Sequence, residues 1–297
     1  MWGCSALRLS DCPQLKGTSA SNAEILMGNK SMESHMTDTA LMELTRKQLR
    51  LAIALVGTMR PPMSPPGRPM CALFLTMVEQ FEATARLMEV KLATHAAVHV
   101  RGMLEALADF SALHQSATHL DVMIYKQLQG ERRTYTRAID SQMLSVADLS
   151  MMKAKLAACD LRYETQKGKL TKEQRGAKME DVFKSAGLPE LVSMYTMLCS
   201  MAHNDLAALA VRHQGERGME MRMEAPLTLT IMVHTMAHYA LMSAVPVLND
   251  IAKFCDGSFQ THVSAMNETH TQLLTECARS SGKGHSMGDL PGQPLAS

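Results

Sequence analysis

From Met70 to about Ser280 the apolar residues of this 297-residue chain recur at helical spacing almost without interruption. No stretch alternates apolar and polar residues for long enough to make a strand. That pattern excludes sandwiches, barrels and parallel sheets, and it leaves helices packed on helices. The core-forming residues agree. Aromatic residues make up 4% of the chain and methionines number 27. The interior must therefore be filled by Leu, Ala, Met and Val, a mixture that favours helix over sheet. Methionine packs without fixing one geometry, so an adaptable core or a Met-lined interface is expected. The expected fold is all-α, a multi-helix bundle of about six to eight helices.

Residues 1–36 are rich in Ser, Gly, Asn and Met, show no sustained period, and read as a disordered N-terminal arm. Thr37 and Asp38 can cap free amides, which places a helix over 37–59. The stretch Arg60-Pro61-Pro62-Met63-Ser64-Pro65-Pro66-Gly67-Arg68-Pro69 stops that helix, because proline has no amide donor. This 60–69 segment reads as a stiff connector, with an extended proline-type recognition peptide as the alternative. The bundle domain then spans 70–280. Its helices fall near 70–92, 94–115, 118–138, 144–167, 171–186, 189–213, 227–255 and 258–280. Asp121 and Asp148 lie in first turns, where negative charge suits the helix dipole. Gly187-Leu188-Pro189 marks a stop followed at once by a new start. Residues 281–297 read as a disordered tail.

The formal net charge is +1. The chain as a whole thus lacks the basic excess of a protein that grips phosphates over its entire surface, and only a local patch would serve. Seven scattered cysteines with no C-x-x-C pair point to reduced thiols and a cytoplasmic protein. The apolar run Leu51–Val56 is far short of the ~20 residues needed to cross a bilayer, so no membrane partner is expected. The Walker and G-x-G-x-x-G signatures do not occur, and no cofactor is expected.

Two polar islands interrupt the apolar helical faces. Ala97, Leu104, Ala108 and Ala112 fall near the direction of Arg101, so the guanidinium should point into the bundle. Glu105 lies one turn on and can pair with it. In the second island, His203 shares a direction with Cys199, Leu206, Ala207 and Ala210, which predicts a half-buried or buried imidazole. Tyr195 precedes it by two turns and can bring its hydroxyl to the same seam. Arg101, Glu105, Tyr195 and His203 are therefore the candidate catalytic residues. One reading is an internal ion pair that sets helix register. The other is an Arg placed to hold an anionic group beside a His able to move a proton near neutral pH.

His95 and His99 are one turn apart, as are His234 and His238, a spacing that can hold a metal. However, His234-Thr235-Met236-Ala237-His238 lacks the Glu of the H-E-x-x-H motif, and no E-x-x-H pair occurs for a di-iron bundle. No metal site is expected.

At the two islands the chain resembles the DUF5677 family of bacterial helical proteins. Its members carry an Arg-x-x-x-Glu helix, here Arg101 and Glu105, and a later Tyr…Ser…His helix, here Tyr195, Ser200 and His203. The resemblance covers roughly residues 70–255. Through that family the chain resembles the HEPN-like bundles, many of which are RNA-cutting toxins or defence proteins that act as dimers. Those proteins carry an Arg and a His on one helix with four to six residues between them. Here the corresponding positions before His203 are Thr196, Met197 and Leu198, and none is basic. The resemblance implies RNA as substrate, a homodimer, and a metal-independent endoribonuclease in which His203 moves the proton, Arg101 steadies phosphate from another helix, Glu105 orients Arg101 and Tyr195 adds a hydrogen bond. The rival is a non-catalytic bundle with a structural Arg-Glu-His core that binds a protein partner.

Overall fold

A computed structural model describes residues 20–203, 205–215, 218–220, 225–255 and 257–280, with the side chains of 20–37 and of Ala207 outside the description. The arm before residue 20 and the tail from 281 lie outside the described residues. Eleven helices appear among the described residues: α1 Ala20–Thr58, α2 Gly67–Glu89, α3 Ala93–Gln115, α4 His119–Asp140, α5 Val146–Lys167, α6 Lys172–Gly176, α7 Met179–Ser185, α8 Leu191–His203, α9 Leu206–His213, α10 Leu227–Ile251 and α11 Ser258–Ser280. Two clips of two residues per strand complete the list. β1 Met59–Arg60 pairs antiparallel with β4 Lys253–Phe254, and β2 Gln214–Gly215 pairs with β3 Gly218–Met219. The chain is an all-α multi-helix bundle.

Three expected boundaries move. The first helix begins at Ala20 instead of Thr37. Helix growth needs no new nucleus once a turn exists, and residues 20–36 hold no proline to stop it. The second helix starts at Gly67, inside the expected connector, and Pro69 sits in its first turn, where a missing amide costs no helical hydrogen bond. Gly67 is also required by space. A Cβ there would lie 2.5 Å from Pro62 Cγ.

The third change is that two expected helices each split in two. The 171–186 segment breaks into α6 and α7. Thr171 and Gln174 cap the first reciprocally, and Asp181 accepts from the Lys178 amide at 2.9 Å to start the second. The 189–213 segment breaks after His203, because Asp205 caps a fresh helix by accepting the Ala208 amide at 2.9 Å.

The main core lies where α2, α3 and α10 pack together, with α1, α8 and α11 closing its sides. Phe74 and Phe81 of α2, Leu104, Leu107 and Phe110 of α3, and Val233, Leu241 and Leu248 of α10 are fully buried there. Met77, Met103 and Met266 are equally buried, and they fill the gaps that scarce aromatics leave. Helix α10 is long and apolar enough, at a mean hydropathy of 1.4, to satisfy the length and composition of a membrane span, with half of that window buried in the fold. The polar rings of His234 and His238 lie on its buried side.

Helices α4 and α5 form a hairpin arm with its own small core. Val122, Tyr125, Leu128, Cys159, Tyr163 and Leu170 pack together. The Tyr125 and Tyr163 hydroxyls meet at 2.8 Å over stacked rings.

Candidate functional site on the α3–α8 seam

Helix α3 contributes Arg101 and Glu105, one turn apart. Helix α8 contributes Tyr195, Cys199 and His203 at successive one-turn steps. The two helices pack against each other, with Glu105 opposite Tyr195 and Arg101 opposite His203. They therefore run antiparallel, and all four sequence-predicted residues come together.

The Glu105 carboxylate is the hub. It accepts the Tyr195 hydroxyl at 2.8 Å and the Arg101 Nη2 at 2.9 Å, both through Oε1. The guanidinium carbon lies 5.6 Å from the centroid of the Tyr195 ring, which leans in turn on Phe183. Arg101 is about three-quarters buried, and its Nε has no partner among the described residues. Its Nη1 is 3.5 Å from His203 Nε2. At that distance, the outer limit of a hydrogen bond, the guanidinium can only donate. In that contact His203 Nε2 is the acceptor.

Electrostatics follow from this arrangement. Burial works against the Arg101 charge, but Tyr195 and Glu105 outweigh it and hold the guanidinium above its ordinary pKa. Burial and the bond to Glu105 push the Tyr195 phenol well up, with Arg101 opposing, so it stays a neutral donor. The seam is thus a fixed cation held from behind by a carboxylate and a phenol.

One expectation fails. His203 is exposed, not buried in a continuous helical stripe. Its helix ends at that residue, and Leu206, which should have flanked it, is 86% exposed on the next helix. Among the described residues no hydrogen bond ties Ser200 to the network, whereas Cys199, not singled out beforehand as a site residue, lies beside both the Tyr195 hydroxyl and Arg101. The Tyr195-x-x-x-Cys199-x-x-x-His203 spacing was the available signal. Arg212 of α9 supports the seam's lower end, donating to the Met201 carbonyl at 2.5 Å and the Thr94 carbonyl at 3.4 Å.

The histidine pairs have other partners. His99 Nδ1 lies 2.6 Å from Gln80 Oε1, and His95 Nδ1 lies 3.2 Å from Thr94 Oγ1. His234 Nδ1 and His238 Nε2 converge on one hydroxyl, Thr45 Oγ1, at 2.7 and 3.2 Å. Among the described residues no group of three or more His, Cys, Asp or Glu is placed to hold a metal ion.

Comparison with the curated proteins finds no match, and neither does comparison with solved structures. A family model does match, over residues 68–220, and that span holds α2 to α9 and every residue of the seam. The chain belongs to DUF5677, a family of unknown function.

Proposed function

We propose that the α3–α8 seam is an RNA phosphodiester site of the HEPN-like type, in a protein of defence or toxin–antitoxin systems. The observation that carries this reading is an exposed imidazole set against a mostly buried, back-supported guanidinium at 3.5 Å. A phosphate oxygen entering the seam would take over the Arg101 Nη1 donor and release His203 Nε2 as a base. His203 would then accept the proton of a ribose 2′-hydroxyl as that oxygen bonds to phosphorus. The phosphorus–5′-oxygen bond breaks, and solvent protonates the leaving 5′-oxygen. The products are a 2′,3′-cyclic phosphate and a 5′-hydroxyl. Arg101 supplies from α3 the cation that the HEPN-like proteins place on the histidine's own helix.

A second reading has its own support. Glu105 already neutralises Arg101, so the network also suits a bundle that only fixes the register of α3 on α8 and binds a protein partner. Two variants separate the readings. His203→Ala lies at an exposed helix end, so catalysis requires that it abolish cleavage of a single-stranded RNA while leaving Tm unchanged. Arg101→Ala should lose cleavage along with some stability. If the wild-type chain leaves RNA intact and only Arg101→Ala alters anything, through stability, the register reading holds instead.

A further inference from the structure

The stretch from α4 through α6 differs from the rest of the molecule in charge. Residues 119–178 carry twelve Lys and Arg against seven Asp and Glu, and eight of the basic residues against six acidic ones lie between His119 and Lys167, in the α4–α5 arm. That excess of five sits in a chain of net +1, so the remainder is net negative by four. The neutral total conceals a basic stretch that includes the arm.

Midway along the arm, Gln129, Arg132, Arg133, Thr136 and Arg137 of α4 and Tyr163 of α5 line an open recess of about 370 Å³. Arg132 forms its floor. The guanidinium lies 4.2 Å from the Tyr163 ring centroid, and its Nε donates to Asp160 Oδ1 at 2.5 Å. It is fixed in position with its charge balanced, and the face turned away from Tyr163 is a planar surface for stacking. Arg133 and Arg137 are exposed and have no ion-pair partner among the described residues. Like charges one turn apart repel each other, and a bound anion would relieve that repulsion. Lys126 and Gly130 continue the stripe towards the arm's base. Gly130 is exposed, with nothing within 4 Å of where a Cβ would stand, so a strand can lie close to the backbone there. The stripe from Lys126 to Arg137 is ~16 Å long.

We infer that this face of the arm binds the phosphate backbone of single-stranded RNA. Arg133 and Arg137 take phosphate oxygens, Thr136 and Gln129 add hydrogen bonds, and Arg132 stacks on a base. The charge and the recess define a polyphosphate ligand, and the choice of RNA rests on the reading of the α3–α8 seam given above.

The test is binding of a fluorescein-labelled 20-nucleotide single-stranded RNA to the full chain, followed by anisotropy across a salt series. The variants are Arg133→Gln/Arg137→Gln and His203→Ala, and vesicles containing phosphatidylserine serve as a competing anionic surface. Both arm substitutions are at exposed positions, and unchanged thermal melts verify the fold. The double variant is expected to bind about tenfold or more weakly, with the slope of log K against log salt reduced by about 1.4, at roughly 0.7 per lost phosphate contact. His203→Ala should bind like the wild type. A double variant with wild-type affinity and slope overturns the inference, as does a wild-type chain that binds the vesicles and not the RNA. The two readings fail separately. Binding lost in the double variant, with no cleavage by any form, upholds the arm and removes the seam as a nuclease. Cleavage lost in His203→Ala, with binding intact in the double variant, does the reverse.

Discussion

Tyr195 donates its phenolic hydrogen to Glu105 at 2.8 Å, across 90 residues of sequence. Because Glu105 also takes Arg101 through the same oxygen, one carboxylate ties α8 to α3. Glu105→Ala leaves a mostly buried guanidinium without its counter-ion. A fully buried pair would cost 3–5 kcal/mol; with about a third of Glu105 exposed, about 2 kcal/mol is expected. Tyr195→Phe removes one hydrogen bond and should cost about 1 kcal/mol. Urea denaturation of both variants measures the difference, and equal losses would contradict the hub role of the carboxylate.

The end of α8 is set by the start of α9. Asp205→Ala removes the side chain that caps Ala208 and should destabilise the chain by about 1 kcal/mol. Asp205→Asn, which keeps the acceptor, should recover most of that loss. Thermal melts of the pair provide the check.

A second polar cluster, buried between α1, α2, α10 and α11, predicts how stability responds to acid. His234 and His238 are fully buried, and Phe81 packs edge-on against His238, which stacks on His270. Burial lowers the pKa of His234 to about 4 and that of His238 well below its ordinary value, with His270 and His234 adding to the latter. The unfolded chain takes up these protons near pH 6.5, while the folded chain refuses them until about pH 4. Stability is therefore full above pH 6.5 and falls as pH drops through that window. His234 alone accounts for roughly 3 kcal/mol. Denaturant midpoints at pH 7.5, 6 and 5 should decline in step, and a flat profile would contradict the buried neutral imidazoles.

Thr45 is the one hydroxyl that both imidazoles share. Thr45→Val keeps the shape but strands two buried ring nitrogens, in a cluster where His234 Nε2, His238 Nδ1 and Gln48 Oε1 already have no partner among the described residues. The expected loss is about 2–4 kcal/mol, at roughly 1–3 kcal/mol for each orphaned group with partial relaxation. Calorimetry measures it. A neutral outcome would mean that the ring nitrogens find other partners.

The sequence carried the helical class, most element positions and the four seam residues. Arg101–Glu105 was legible because a one-turn spacing is local, and so was the Asp148 first turn, where Ser145 also caps at 3.2 Å. The exposure of His203 was not, since a 3.6-residue period gives no warning that Asp205 starts a new helix. The buried histidine cluster was hidden for a different reason. Thr45 and His234 are 189 residues apart, and only tertiary packing turns a one-turn histidine pair from a metal candidate into partners of a threonine. The basic stretch that includes the arm was masked by the neutral sum over the whole chain.

Phe81 and His238 meet at 5.2 Å between ring centroids, yet only Phe81 falls within the span 68–220 shared with the family. Helices α1, α10 and α11 all lie beyond those limits, although α1 and α10 pack on α2 and α10 also packs on α3. A fragment cut at the family borders would lose that wall of helices, with Phe81 uncovered on the side that His238 occupies. The evolutionary unit and the folding unit of this chain are not the same length.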